Sequence, residues 1–167
     1  MGSSTSYRSR RKRRGCSSRD PDSIFVTDFV YRRQFGIEWG HCDPAGIVFN
    51  ARFFEFFDRS AWLMFEAALG VPLHDLFKVY DIVGIPLVGA QAKFLAPAAF
   101  GDLAEMESRI IDIRRSSFDV EHRMFIKAAL VVEGLETRVW AARHPDDPLR
   151  MKAQPIPKDV VAKFKDI

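Results

Sequence analysis

The chain is poor in the groups that staple small folds or build metal centres. Its two cysteines, Cys16 and Cys42, have the spacing of neither a disulfide framework nor a zinc site. A reducing compartment, the cytoplasm, is therefore the expected location. The four histidines, His41, His74, His122 and His144, stand apart from one another with no partner at ligand spacing. His41, Cys42 and Asp43 are consecutive, and neighbouring side chains diverge too much to share an ion comfortably. No metal and no cofactor are expected. There is no Gly-x-Ser-x-Gly elbow, no Walker loop and no Gly-x-Gly-x-x-Gly turn, which argues against a serine hydrolase of the usual kind and against phosphate- or dinucleotide-binding loops. No apolar run approaches the length of about 18 residues needed to cross a membrane.

The formal net charge of +3 hides an asymmetry. Residues 1–20 carry seven arginines and lysines against Asp20 alone, so the remainder of the chain is mildly acidic. The segment over residues 1–22 holds almost no large apolar side chain and is expected to be a disordered basic tail. Its composition is compatible with nucleic-acid or anionic-surface binding, with a transit peptide, or with Met-Gly-x-x-x-Ser myristoylation backed by a polybasic signal. An extension without function is the favoured reading, and contact of the tail with nucleic acid or membrane is not expected.

What the chain does contain is enough apolar material for one domain, expected over residues 23–167. Of its 167 residues 47% are hydrophobic, and the fifteen phenylalanines point to an aromatic core or pocket. Asp28 to Trp39 is dense in β-formers and reads as a strand. HCDPAG follows as a loop, because Asp-Pro disfavours helix before the ring. From about Asn50 to Leu69 apolar residues recur at 53, 54, 56, 57, 61, 64, 65 and 68, a helix with little polar surface. Gly70 and Pro72 end it. VPLHDLFKVY is expected to add a short helical turn. Four long β-like runs come next, Ile85–Leu95, Asp102–Ile113, Ser117–Lys127 and Ala129–Ala142, for which consecutive antiparallel pairing is expected. Imperfect alternation at Val120, Arg123 and Phe125 suggests a bulge. HPDDP breaks the last run, and a weak helix can start at Lys158. The order implies an α+β fold in which an antiparallel sheet curls around one buried helix. The sheet edges left open favour pairing with a second copy.

Two carboxylates stand out. Asp43 precedes proline, where aspartate commonly makes an Asx turn. It also lies just ahead of a helix start, where free N–H groups and the positive dipole end favour an oxyanion. A carboxylate facing such a site is a minimal kit for acyl transfer. Asp58 lies mid-helix between Phe57 and Ala61. It is either an ion-pair partner of Arg52 or Arg59, or a polar group aimed into an aromatic pocket to meet a ligand hydroxyl. Arg114, Arg115 and Arg150 lie at turns and are ordinarily just solvated. They matter if the ligand carries phosphate.

The stretch IEWGHCDPAGIVFNARFFEFFD resembles the active-site segment of 4-hydroxybenzoyl-CoA thioesterases, in the hotdog-fold superfamily. DIVGIPLVGAQAKFLAPAAFGD, DIRRSSF and ETRVWA are similar to later segments of that family, so the resemblance covers residues 30–157. It implies a hotdog fold, a dimer with a continuous sheet, commonly a dimer of dimers, and active sites at the dimer interface. It implies an acyl-CoA substrate and these roles: Asp43 as the catalytic carboxylate, the Asn50 N–H as oxyanion donor, Phe49 against the acyl ring, and Asp58 reading the para-hydroxyl. Arg114, Ser116, Ser117 and Arg150 match positions near the CoA nucleotide. In members of that family the carboxylate attacks the thioester; elsewhere in the superfamily an equivalent group acts as general base. Two departures concern the pocket: Ser116 stands where the family has lysine, and Asn50 where it has an aromatic residue. The alternatives are a broader aryl or short-chain acyl-CoA thioesterase, or a non-catalytic acyl-CoA-binding protein.

Overall fold

The computed structural model describes residues 24–25 and 29–165. The basic tail expected over residues 1–22 lies outside them. Helix α1 runs Asn50–Leu69. Its apolar stripe, Phe53, Phe56, Phe57, Ala61, Met64, Phe65 and Leu69, is buried, while Glu55, Asp58 and Arg59 face outward. Gly70 ends it in the left-handed conformation at φ 66°, which costs glycine no Cβ clash, and its N–H caps Glu66 O at 3.0 Å. Helix α2, Leu73–Val79, follows directly. Phe77 of α2 packs on Trp62 of α1.

The sheet wraps that helix. Its strands are β1 (Ile24–Phe25), β2 (Tyr31–Gly36), β3 (Leu87–Phe94), β4 (Leu103–Ile113), β5 (Ser117–Ile126) and β6 (Ala129–Val139). The order is β1-β4-β5-β6-β3, with β2 also pairing β4, and every pair is antiparallel. β4, β5 and β6 pair consecutively as expected. The expected pairing of the Ile85–Leu95 run with the next run does not occur: β3 pairs β6 instead, because β2 and β1 already occupy the outer edge of β4. β2 is shorter than the expected strand, since Trp39–His41 coil into a 3-10 turn. The bulge expected within Val120–Phe125 lies instead on the partner strand: β5 alternates throughout, and Val131 of β6 is the extra residue opposite Met124/Phe125. A further hairpin, β7 (Ala141–His144) with β8 (Asp147–Ala153), lies where the sequence suggested only a break. Helix α3, Lys158–Lys163, closes the open end, and Phe164 just after it packs on Phe65.

Side chains alternate in and out along β4, β5 and β6, and the inward set meets α1. Two apolar clusters result. One surrounds Phe53 and Phe57 toward the start of the helix; the other surrounds Phe65, Phe118 and Trp140 toward its end. Phe57 sits directly over Gly134 of β6, where a built Cβ would lie 2.6 Å from the ring. Gly134→Ala should therefore destabilise the fold by roughly 1–3 kcal/mol, the usual cost of overpacking. Gly36→Ala is the control, since nothing lies within 4 Å of its Cβ position. Urea midpoints of the two variants check this, and equal midpoints would show that the ring moves aside freely.

Candidate active site

Asp43 opens a five-residue loop closed on itself. Its N–H donates to Ile47 O and Gly46 N–H donates to Asp43 O, both at 2.9 Å, while Ala45 N–H donates to Asp43 Oδ1 at 2.8 Å. The last of these is the Asx turn that the Asp-Pro pair favours. Gly46 takes φ 79°, a value that would strain a residue with a side chain. Below the loop the stems are tied by a Cys42–Val48 bridge and by Phe49 N–H to His41 O at 2.9 Å. The loop is thus tied to the start of α1, with Asp43 half-buried and residues 44–47 exposed.

That helix start is bare. Phe49 is the N-cap residue and offers no side-chain hydrogen bond, and the first turn holds no acidic residue. A serine, threonine or aspartate here would satisfy one of the free N–H groups. Asn50, the first helical residue, is exposed, so its N–H and the positive end of a 20-residue helix are left to whatever enters. The neighbouring cleft has a volume of about 370 Å³ and is lined by Ile47, Asn50, Phe53, Phe94, Leu95 and Pro97. A larger concavity of about 670 Å³ lies on the outer face of the sheet, among Gln34, Asp102, Glu105, Glu107, Phe125 and Lys127. It holds no helix end, so of the two only the smaller cleft adjoins free helix N–H groups.

Asp58 is exposed on the outer face of α1, yet it is held from beneath. Its partner is neither Arg52, which is engaged with Glu55, nor Arg59, but Arg138 of β6, whose Nη2 donates to Asp58 Oδ1 at 2.8 Å. Arg138 in turn donates from Nε to Glu136 Oε2 at 2.9 Å. Glu136 meets His122 Nε2 at 3.2 Å, and Ser108 Oγ meets His122 Nδ1 at 2.8 Å. Ser108, His122, Glu136 and Arg138 are all buried, and this polar seam lies between the two apolar clusters. Glu136 accepts only, so His122 carries its proton on Nε2 and accepts the Ser108 hydroxyl at Nδ1. The seam was not anticipated from the sequence. Its signal was there: Val132, Gly134, Glu136, Arg138 and Trp140 share one face of an alternating strand, which puts two charges on the core side.

Burial pushes the His122 pKa down, against the opposing pull of Glu136. Burial alone would raise Glu136, but the hydrogen bond from His122 and the Arg138 charge outweigh it and hold the carboxyl below its usual range. The two groups act in separate windows. A depressed histidine is neutral when folded, so acidification below about 6.5 protonates the unfolded chain first and lowers stability. The Glu136 contribution is lost only at lower pH, below the ordinary glutamate value of about 4.3. The urea midpoint should hence fall from pH 7.5 to pH 5, and His122→Gln, which still donates to Glu136, should flatten that fall. An unchanged slope in the variant would place the effect elsewhere.

Arg114, Ser116 and Ser117 are brought together in the β4–β5 turn. Arg114 donates from Nε to Ser117 Oγ at 2.9 Å and binds the carboxylates of Asp112 and Asp119. Those two carboxylates raise its pKa, with the Asp119 hydrogen bond the largest cause, and already neutralise its charge. Ser116 O accepts Trp140 N–H at 2.9 Å. Arg150 is exposed on β8. The turn adjoins Phe118 and Trp140, which pack on Phe65. Within one chain it therefore lies about 22 Å along α1 from Asn50, at 1.5 Å per residue. Asp43, Phe49 and Asn50 are gathered at one end of the helix, Asp58 lies midway, and the turn is at the other end.

A sheet rolled around a single long helix, with a carboxylate loop at the helix mouth, defines a hotdog-fold protein of thioester-hydrolase type. The model of the thioesterase-like superfamily matches residues 37–164, and the chain belongs to that family. The 4-hydroxybenzoyl-CoA thioesterase of Pseudomonas sp. strain CBS-3 is 31% identical over 130 residues, 75% of this chain and 90% of the relative. The 1,4-dihydroxy-2-naphthoyl-CoA hydrolase of Synechococcus elongatus is 31% identical over 99 residues, 59% of this chain and 71% of the relative. A solved mutant of 4-hydroxybenzoyl-CoA thioesterase in complex with 4-hydroxybenzoyl-CoA superposes with a TM-score of 0.75 at 28% identity, covering 81% of this chain and 99% of that one. Among the described residues no helix is long and apolar enough to cross a membrane.

Proposed function

We propose that the protein hydrolyses an aromatic acyl-CoA, 4-hydroxybenzoyl-CoA or a close hydroxyaryl analogue, to the free acid and CoA. The observation that carries the reading is the uncapped start of α1 with the Asp43 loop folded against it. In the proposed course the acyl carbonyl oxygen accepts the Asn50 N–H, and the Phe49 ring packs on the acyl ring. An Asp43 carboxylate oxygen attacks the carbonyl carbon. The C–S bond breaks, CoA leaves as thiolate and takes up a proton, and a mixed anhydride remains. Water then hydrolyses the anhydride, releasing the acid and restoring the carboxylate. The Asx bond occupies one lone-pair direction of Oδ1 and fixes the carboxylate without consuming its second oxygen.

Asp58 reads the acyl hydroxyl in this proposal, and Arg150, Ser116, Ser117 and Arg114 lie near the CoA nucleotide. Because the β4–β5 turn is far from the helix mouth in one chain, a site that uses both is more economically shared between two copies. Strand β3 is suited to that role. One edge pairs β6 and, among the described residues, the other has no strand partner; Leu87, Val88 and Phe94 at its ends and Leu95 just beyond are exposed. A homodimer joined there, and a homotetramer built from two such dimers, in the cytoplasm, complete the proposal. The test is free-thiol release from a panel of 4-hydroxybenzoyl-, benzoyl- and straight-chain acyl-CoA esters. Fastest turnover of the hydroxylated ester is expected. Faster turnover of a straight-chain ester would reject the aryl assignment, and no thiol release from any ester would reject the hydrolase itself.

A further inference from the structure

We infer that Arg138 is a positioning residue for substrate discrimination: it reaches from the sheet through the polar seam and fixes the Asp58 carboxylate at the angle from which it meets the acyl hydroxyl. The inference rests on the reading of Asp58 as the hydroxyl acceptor. On its own, an aspartate on an outward helix face samples several rotamers. Arg52 cannot orient Asp58 because it is bound to Glu55, and Arg59, one residue on, does not face it on a helix. Arg138 can, because it is itself immobile. Its side chain is 1% exposed, Nη1 donates to Ile85 O at 3.2 Å, and both Nε and Nη2 bind Glu136 Oε2, at 2.9 and 2.8 Å. The planar guanidinium thereby translates a buried framework into a fixed direction at the surface.

The sharing of that cation also matters. Glu136 and Asp58 both draw on one guanidinium, so the Asp58 charge is not cancelled by a private partner. Arg138 takes Oδ1, and among the described residues Oδ2 accepts no hydrogen bond. An oxygen of known direction that still carries charge is what a phenolic hydroxyl at one ring position requires. This picture assigns discrimination to a buried residue that touches no substrate atom.

The experiment measures kcat/KM for 4-hydroxybenzoyl-CoA and benzoyl-CoA in the wild type, Asp58→Ala, Arg138→Lys and the double variant. A lysine keeps the charge and loses the fork. Arg138→Lys should cut the preference for the hydroxylated ester by about five- to twentyfold while changing kcat/KM on benzoyl-CoA by less than about threefold, and should add nothing in the Asp58→Ala background. Equal losses on both esters, or a loss that adds to that of Asp58→Ala, would overturn the inference in favour of a purely structural arginine. Arg138→Lys with Glu136→Gln, which removes the carboxylate left short of its partner, serves if the single variant does not fold. Failure of both to fold would equally overturn it, by making Arg138 a residue of the fold. If the wild type shows no preference for the hydroxylated ester, it is the reading of Asp58 that fails. If the wild type prefers it, Asp58→Ala abolishes the preference and Arg138→Lys retains it, only the positioning role fails.

Discussion

Asp43→Asn is expected to lower kcat by at least about a hundredfold, the low end of what removing a reacting carboxylate or general base costs. The substitution is nearly isosteric, and the amide oxygen can still accept the Ala45 N–H that closes the Asx turn. The loop, its stems and the helix mouth should therefore survive, and with them the affinity for the CoA ester. What is lost is chemical: a neutral amide neither attacks a thioester effectively nor takes a proton from water. Stopped-assay turnover with 4-hydroxybenzoyl-CoA, together with equilibrium binding of the same ester, measures the two quantities separately. Retention of more than about a tenth of wild-type kcat would be too much activity for a variant lacking its reacting group, and the carboxylate would have to be sought elsewhere. Rapid-quench detection of an acylated wild-type protein would further distinguish attack by Asp43 from general-base activation of water.

Asp58→Ala is expected to act on selectivity. A carboxylate partly desolvated by a bound ring and left without its donor is penalised by roughly 1–3 kcal/mol, about tenfold to a hundredfold in kcat/KM. The wild type should thus prefer 4-hydroxybenzoyl-CoA over benzoyl-CoA by that margin, and Asp58→Ala should erase the preference, by slowing the hydroxylated ester and relieving benzoyl-CoA of the stranded carboxylate. Arg138 keeps Glu136 and Ile85 O as partners in the variant, so no buried cation is stranded and the fold should hold. Parallel losses on both esters would mean that the Asp58–Arg138 pair mainly ties helix to sheet, with no hydroxyl in view.

Much of the fold was legible because strong local signals agreed with one another. The helix bounds at Asn50 and Leu69 follow from a dense apolar stripe ended by Gly70 and Pro72. The β5–β6 irregularity was placed on the wrong strand: β5 alternates throughout, and the extra residue is Val131 of β6. Strand partners were less legible. β3 shows no alternation in its burial, so nothing local says that its neighbour is β6. The β7–β8 hairpin was hidden by His144-Pro145 and by residues such as Leu149 that face solvent, where β-propensity carries little information. At the candidate site, the Asp43 loop could be placed because proline and glycine constrain it locally. The partner of Asp58 could not, since it lies eighty residues away and becomes a neighbour only when the sheet closes on the helix.

The buried polar seam also bears on how the sheet finds its one correct alignment. Alternation forbids a strand from sliding by one residue, because that would turn every inward side chain outward. It does not forbid sliding by two, which keeps the apolar residues inside. Here Ser108 stands opposite His122, and His122 opposite Gly134. A two-residue slide of β5 along β4 would set Ser108 against Val120 or Met124 and strand the imidazole among methionine and isoleucine side chains. A two-residue slide of β6 would take Gly134 from beneath Phe57 and bring a side chain into the ring. Each misalignment leaves a buried polar group unpaired or a core overfilled, at roughly 1–3 kcal/mol apiece. The same few residues that hold a carboxylate in place at the surface thus act, during folding, as index marks between strands that hydrophobicity alone would let slip.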